Sequence, residues 1–195
     1  MINAFQEPPA SQQEPEIFLT AEEFFAMPDM GGCELINGRV VPKHQEGQMI
    51  SPGAKHGKAA ARIAGRLDSF VTPQWLGDVY VETGFTLPNG EVHRPDVAFV
   101  CATNLPKGTP DAFPDVAPTI AIEVISAADF WQEIEDKVRL YLQAGAKAVW
   151  LVEPQRRVVV VRRSGGASMT YREGDVVPGG DILPDFALPV HDIFE

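Results

Sequence analysis

The segment Thr119-Ile120-Ala121-Ile122-Glu123-Val124-Ile125-Ser126 constrains the fold more than any other stretch of the chain. It is almost continuously apolar, the pattern of a strand buried on both faces; a strand with one solvated face alternates instead. Such a strand needs a layer on each side. The sequence supplies one directly afterwards, a helical pattern from Asp129, read as its cap, to Ala144, stopped by Gly145. Strands are expected at 77–82, 85–87, 94–100, 148–152 and 157–161, with short candidates near Met169 and Asp175. A first helix opens at Thr20, where Glu23 completes a capping box. Then Glu34–Ile36 and Arg39–Val41 flank Asn37-Gly38, the strongest short hairpin signal. From Pro52 to Val71, Ala60, Ile63, Ala64, Leu67, Phe70 and Val71 recur with helical period. The expected class is mixed α/β, a central sheet flanked by helices.

With 195 residues, 45% hydrophobic and 22% charged, the chain suits one globular domain, expected over residues 16–195. Residues 1–15, polar and proline-bearing, read as a flexible tail. No apolar run approaches the roughly 18 residues a membrane-spanning helix requires, and the N-terminus lacks the basic and apolar regions of a secretory signal. Cys33 and Cys101 fit neither a CxxC nor a Cys/His metal spacing, so a reduced, cytoplasmic setting is expected. Pro106, Pro110, Pro114 and Pro118 mark 102–118 as a long surface loop. The net charge of −11 argues against a non-specific nucleic-acid binder, whose affinity is built from Lys and Arg.

Acid placement carries the chemistry. Glu123 lies within the most apolar strand and Asp96 opens another, Arg94 to Val100. A carboxylate there is costly to desolvate unless it is paired, hydrogen-bonded or bound to metal. Two such acids on neighbouring strands, with a main-chain carbonyl, make a hard-oxygen site suited to Mg²⁺ or Mn²⁺. Lys137 lies at the edge of the core-facing arc of the following helix, placed to send its ammonium toward them. The competing readings are a strand-start acid for Asp96, an isolated buried ion pair for Glu123, and an i,i+4 pair with Glu133 for Lys137. His56, on the apolar side of its helix, reads as a satisfied, partly buried histidine, with an accessory site role as the alternative. Lys55, Lys58, Arg62 and Arg66 form one basic arc, either a solvated face or a phosphate-contacting surface. Ser126 lacks a nucleophile-elbow context and reads as a helix cap, and no phosphate-loop or GxGxxG pattern occurs.

The succession Glu34-Leu35-Ile36-Asn37-Gly38, His56-Gly57, Arg94-Pro95-Asp96-Val97-Ala98-Phe99-Val100, Ile122-Glu123-Val124-Ile125-Ser126 and Asp136-Lys137, with Tyr141 and Ala144-Gly145, resembles the Uma-two family of endonuclease-like proteins. The ending Gly179-Gly180-Asp181-Ile182-Leu183-Pro184-Asp185-Phe186 resembles it too, so the likeness runs from about residue 16 to the C-terminus. It implies the restriction-endonuclease-like fold of the PD-(D/E)xK superfamily, a mixed sheet flanked by helices. Pro95-Asp96 would be the PD, Glu123 the following acid, and the Val124 carbonyl a metal ligand. Ile125 stands where the superfamily places lysine, and Lys137 matches a lysine moved to the next helix. Glu34 matches an additional acid of the site. The implied activity is metal-dependent DNA cleavage through a metal-activated water, with Lys55, Lys58, Arg62 and Arg66 on the DNA backbone. A homodimer is expected if both strands are cut. The alternative is a non-catalytic scaffold or partner-binding protein that retains the nuclease fold, which the acidic charge favours; a third is an enzyme acting on a small phosphorylated substrate.

Overall fold

The computed structural model describes residues 18–28, 31–43, 53–106, 111–126 and 129–195. The expected tail at 1–15 and the helix start at Pro52 lie outside the described residues. The first helix, α1 (Ala21–Phe25), carries the full capping box: Thr20 Oγ1 accepts the Glu23 N–H, and Glu23 accepts the Thr20 N–H. β1 (Cys33–Ile36) and β2 (Arg39–Pro42) pair antiparallel around Asn37 and Gly38, both at positive φ (51° and 73°), as a two-residue turn matched to strand twist requires. The long α2 (Ala54–Val71) follows, then β3 (Gly77–Val81), β4 (Phe85–Thr86), β5 (Val92–His93), β6 (Val97–Cys101) and β7 (Ile120–Val124). α3 (Trp131–Ala144) leads to β8 (Ala148–Glu153), β9 (Val158–Arg163), β10 (Ser168–Arg172), β11 (Val176–Pro178), β12 (Ala187–Pro189) and α4 (Val190–Phe194).

Six strands form the central sheet in the order β10-β9-β8-β7-β6-β3. Only β7 and β8 run parallel, because α3 crosses over between them; every other neighbour is antiparallel. The buried strand period sorts side chains to two faces. Val97, Phe99, Ile120, Ile122, Val124, Trp150 and Val152 pack with Ile63, Leu67 and Val71 of α2 and with the C-terminal β11-β12-α4 unit. Ala98, Val100, Ala121, Val149 and Leu151 pack on the other face with Ile134, Val138 and Tyr141 of α3. The mixed α+β fold with helices on both sides of the sheet is as the apolar run at 119–126 required. A second sheet, β2-β1-β5-β4, closes over Phe24, Leu35 and Val92 and hangs its β1-β2 hairpin beside the end of β7.

Two local expectations are corrected. Phe130, not Asp129, is the N-cap of α3, and it makes no side-chain cap bond, so neither Asp129 nor Ser126 caps that helix. The Asp129 carboxylate instead accepts the Ser126 N–H at 2.6 Å, closing the turn between strand and helix. Within 102–118, Ala102–Asn104 forms a 3₁₀ turn, and Phe113 stacks on Phe24 and Phe25 with centroids 5.6 and 5.0 Å away. That part of the segment is tied to the second sheet by aromatic contact.

Candidate active site

The site begins where a ladder stops. β6 and β7 pair up to Val97 opposite Ile122. One step further the register sets Asp96 opposite Glu123, but Asp96 replaces the main-chain bond with its side chain: Oδ2 accepts the Val124 N–H at 2.6 Å. A strand residue's N–H and C=O leave on the same edge, so the Val124 carbonyl faces the same opening. Alternation along β7 turns Glu123 to the α3 face, with Ala121. There the Tyr141 hydroxyl donates to Glu123 Oε1 at 3.0 Å. A pocket of about 60 Å³ opens at this point, lined among others by Lys43, Asp96, Glu123, Val124, Ile134 and Lys137.

Four of the expected residues, Asp96, Glu123, Val124 and Lys137, thus converge on one pocket, and Glu34 buttresses it from β1. Lys137 Nζ donates to Glu34 Oε1 at 3.1 Å, and the same oxygen accepts the Arg94 N–H at 3.0 Å. The direct hydrogen-bond partner of Lys137 is therefore Glu34 on β1. His56 is buried on α2, its Nε2 3.2 Å from Asp96 Oδ2.

One central residue escaped the sequence reading. Lys43, just past β2 and with its side chain 3% exposed, places its ammonium 2.5 Å from Asp96 Oδ1 and 2.9 Å from Glu82 Oε2. No local pattern points to it: its partners are 39 and 53 positions away in sequence, and only the closure of the hairpin over β6 brings them together. Tyr141 was legible only as core, because its ring is buried there while its hydroxyl reaches the acid.

The electrostatics follow from this packing. Burial pushes the Glu123 carboxyl up to about 7; Lys137 and Lys43 oppose the rise, while the charges of Asp96 and Glu34 add to it. For Asp96 burial acts in the same direction, but His56 and Lys43 in contact with both oxygens hold it well below the usual carboxylate range. Burial would lower Lys137, yet Glu123 and Glu34 raise it above its ordinary value; Lys43 is likewise raised by Glu123, Asp96 and Glu82 against its own burial. The Asp96 contact raises His56. One permanently ionised acid thus stands beside one whose proton is held close to neutrality, the separation that acid–base and metal sites exploit.

The basic arc of α2 divides. Lys55 and Lys58 are exposed, with no carboxylate within ion-pair distance among the described residues. Arg66 is held by Asp192 of α4 at 2.5 Å, and the partly buried Arg62 lies against the same end of α4, beside Asp192 and Glu195. The helix itself carries no acid on that arc; the tertiary fold brings the acids across.

Among the described residues no group of three or more His, Cys, Asp or Glu has metal-ligating geometry. The donor set at the pocket is nevertheless of the kind a hard divalent cation takes: two carboxylates and a main-chain carbonyl. The Lys43 ammonium already stands on Asp96 Oδ1 as a cation, and among the described residues Tyr141 donates to Glu123 Oε1 and no donor reaches Oε2. The residues fit a divalent ion in charge and hardness, provided Lys43 shares or yields Asp96 Oδ1.

No curated protein matches the chain, and among the described residues no helix is long and apolar enough to cross a membrane. Among solved structures, a chain described as "a putative nuclease belonging to DUF820" from Anabaena variabilis ATCC 29413 superimposes with a TM-score of 0.77. The two are 21% identical, with 90% of this chain and 97% of that one covered, so the likeness is one of fold. A chain of a DrdV–DNA complex, 14% identical over 61% of this chain and 12% of that one, reaches a TM-score of only 0.33 and carries no argument. Residues 21–191 fit the family described as "Uma2: Putative restriction endonuclease", and the chain belongs to that family.

Proposed function

We propose that the chain is a divalent-metal-dependent endonuclease that hydrolyses phosphodiester bonds of DNA at the pocket between β6, β7 and α3. The observation that supports it most is the opposition of Asp96 and Glu123 at the end of the β6–β7 ladder, with Lys137 on the same pocket. Asp96, Glu123 and the Val124 carbonyl would hold Mg²⁺ or Mn²⁺. Such an ion supplies Lewis acidity toward the phosphate and an activated water.

The chain's own groups do the rest. The Val124 N–H fixes the Asp96 carboxylate, and His56 and Lys43 keep it ionised. Tyr141 fixes Glu123 Oε1 and leaves Oε2 for the pocket. Lys137, fixed by Glu34 and kept protonated, is placed to orient the attacking water and to donate to the negative charge that develops on phosphate. Lys55 and Lys58, exposed on α2 on either side of His56 in sequence, would contact the DNA backbone.

The test is conversion of supercoiled DNA to nicked or linear forms at low salt with Mg²⁺ or Mn²⁺, wild type beside Glu123→Ala and Asp96→Asn. Cutting by wild type alone supports the reading. Equal cutting by the variants, or none by any protein with either metal, overturns it. In the latter case the scaffold reading gains, which Lys43 seated on Asp96 Oδ1 and the −11 charge already favour.

A further inference from the structure

The buried arc of α3 does not end where the sheet ends. At about 100° per residue, Trp131 lies over Val138, two turns toward the N-terminus, and Phe130 is the N-cap just before it. Val138 and Ile134 are buried against the sheet, whereas Phe130 is 53% and Trp131 54% exposed. In sequence both lie between Asp129 and Glu133, residues that line the pocket holding Asp96 and Glu123. Two large aromatic side chains, each about half exposed, therefore stand beside residues that line the candidate active site.

The charge around them limits what can bind there. Gln132, Glu133, Glu135 and Asp136 follow on the same helix, with Asp129 just before. Of the cations on the pocket and on α2, Lys43 and Lys137 are engaged by carboxylates, Arg66 by Asp192, and Arg62 is partly buried, so the exposed ones without an ion pair among the described residues are Lys55 and Lys58. Duplex DNA presents about one negative charge per 1.7 Å and hides its base faces. A single strand carries roughly half that charge per unit length and offers its bases to aromatic rings, an attraction that needs no basic surface. On a chain of net charge −11 that difference favours the unpaired strand.

We propose that this site acts on unpaired DNA, its bases stacking on Phe130 and Trp131 beside the pocket while Lys55 and Lys58 hold the backbone on the α2 side. This inference rests on the phosphodiester reading of the pocket and names its substrate class.

The test is binding in EDTA, where no cleavage occurs, of a short labelled single strand and of the same strand annealed to its complement. Anisotropy reads affinity for the full-length wild type, Trp131→Ala, Trp131→Phe and the distant control Trp75→Phe. The strand is expected to bind at least about tenfold more tightly than the duplex, with about tenfold lost in Trp131→Ala and most of it kept in Trp131→Phe. Tryptophan emission of wild type and Trp75→Phe should be quenched by the strand, and that of Trp131→Phe should not. Trp131 is exposed, so a thermal melt of each variant should match wild type. Duplex bound as tightly as the strand, or unchanged strand affinity in Trp131→Ala, overturns the inference. So does a smaller sedimenting species in Trp131→Ala, which would make the patch an interface between copies. Metal-dependent cutting of duplex without strand preference refutes only the substrate class, whereas strand binding with no cutting of any DNA refutes the nuclease reading and leaves the stacking surface.

Discussion

Glu123→Gln separates the charge of the central acid from its shape. Glutamine keeps a carbonyl oxygen for the Tyr141 hydroxyl and loses the ionisable group. In the folded chain burial lifts the Glu123 carboxyl from 4.5 to about 7. Below pH 4.5 the group is protonated in both the folded and unfolded chain and contributes nothing to the difference. Between 4.5 and 7 the unfolded chain releases this proton while the folded chain retains it, so stability falls as pH rises; above 7 the loss is constant. At about 1.4 kcal/mol for each tenfold change in proton affinity, the full loss is roughly 3 kcal/mol. The glutamine variant escapes it. Urea denaturation of both proteins in metal-free buffer, from acid to mildly alkaline pH, should show the variant gaining on wild type by roughly 3 kcal/mol, with the gain levelling off above neutrality. A difference that stays flat across this range, or that falls, would refute the assignment of Glu123 as a carboxyl whose burial outweighs Lys137 and Lys43. Adding Mg²⁺ or Mn²⁺ should narrow the gap from the wild-type side, because a cation on Glu123 stabilises the ionised form.

Asp96→Asn leaves the buried Lys43 ammonium without its closest anion, and should cost about 3–5 kcal/mol by chemical denaturation. Adding Lys43→Met to that variant should recover much of the loss, because the pair is then gone together. The Asp96 contact raises the His56 pKa above 6.5, so its stabilisation is complete below that value and fades as pH climbs through the raised one. His56→Gln should therefore lose more stability in mild acid than in mild alkali, and an equal loss at both would mean packing alone. Gly77 lies at φ 150° with no room for a side chain, since a Cβ there would stand 2.0 Å from the Val100 carbonyl oxygen. Gly77→Ala should lower stability by about 2–3 kcal/mol in a thermal melt and leave any strand preference unchanged. With Lys55 and Lys58 as the exposed backbone contacts, log affinity for a single strand should fall against log salt with a slope of about −1.4, approaching zero in the double alanine variant.

Local pattern was enough to set the layers. The apolar run at 119–126 could be satisfied only by burial on both faces, and the periods of α2 and α3 state which sides cover it. Asn37-Gly38 and the Thr20–Glu23 box are local in cause and could be read locally, because each is completed within a few residues. Asp96, Glu123 and Lys137 were legible as candidates for a related reason: charge at an otherwise apolar position is costly wherever it falls. Tertiary structure alone decided which groups answer that cost. Lys137 turned to Glu34 on a different sheet, and Lys43, which carries no pattern of its own, took Asp96. One member of the basic arc on α2 was claimed by the far end of the chain, where Asp192 reaches Arg66. Periodicity reports the side of an element that is buried, whereas a long-range ion pair depends on where two elements distant in sequence come to rest, and no local pattern encodes that.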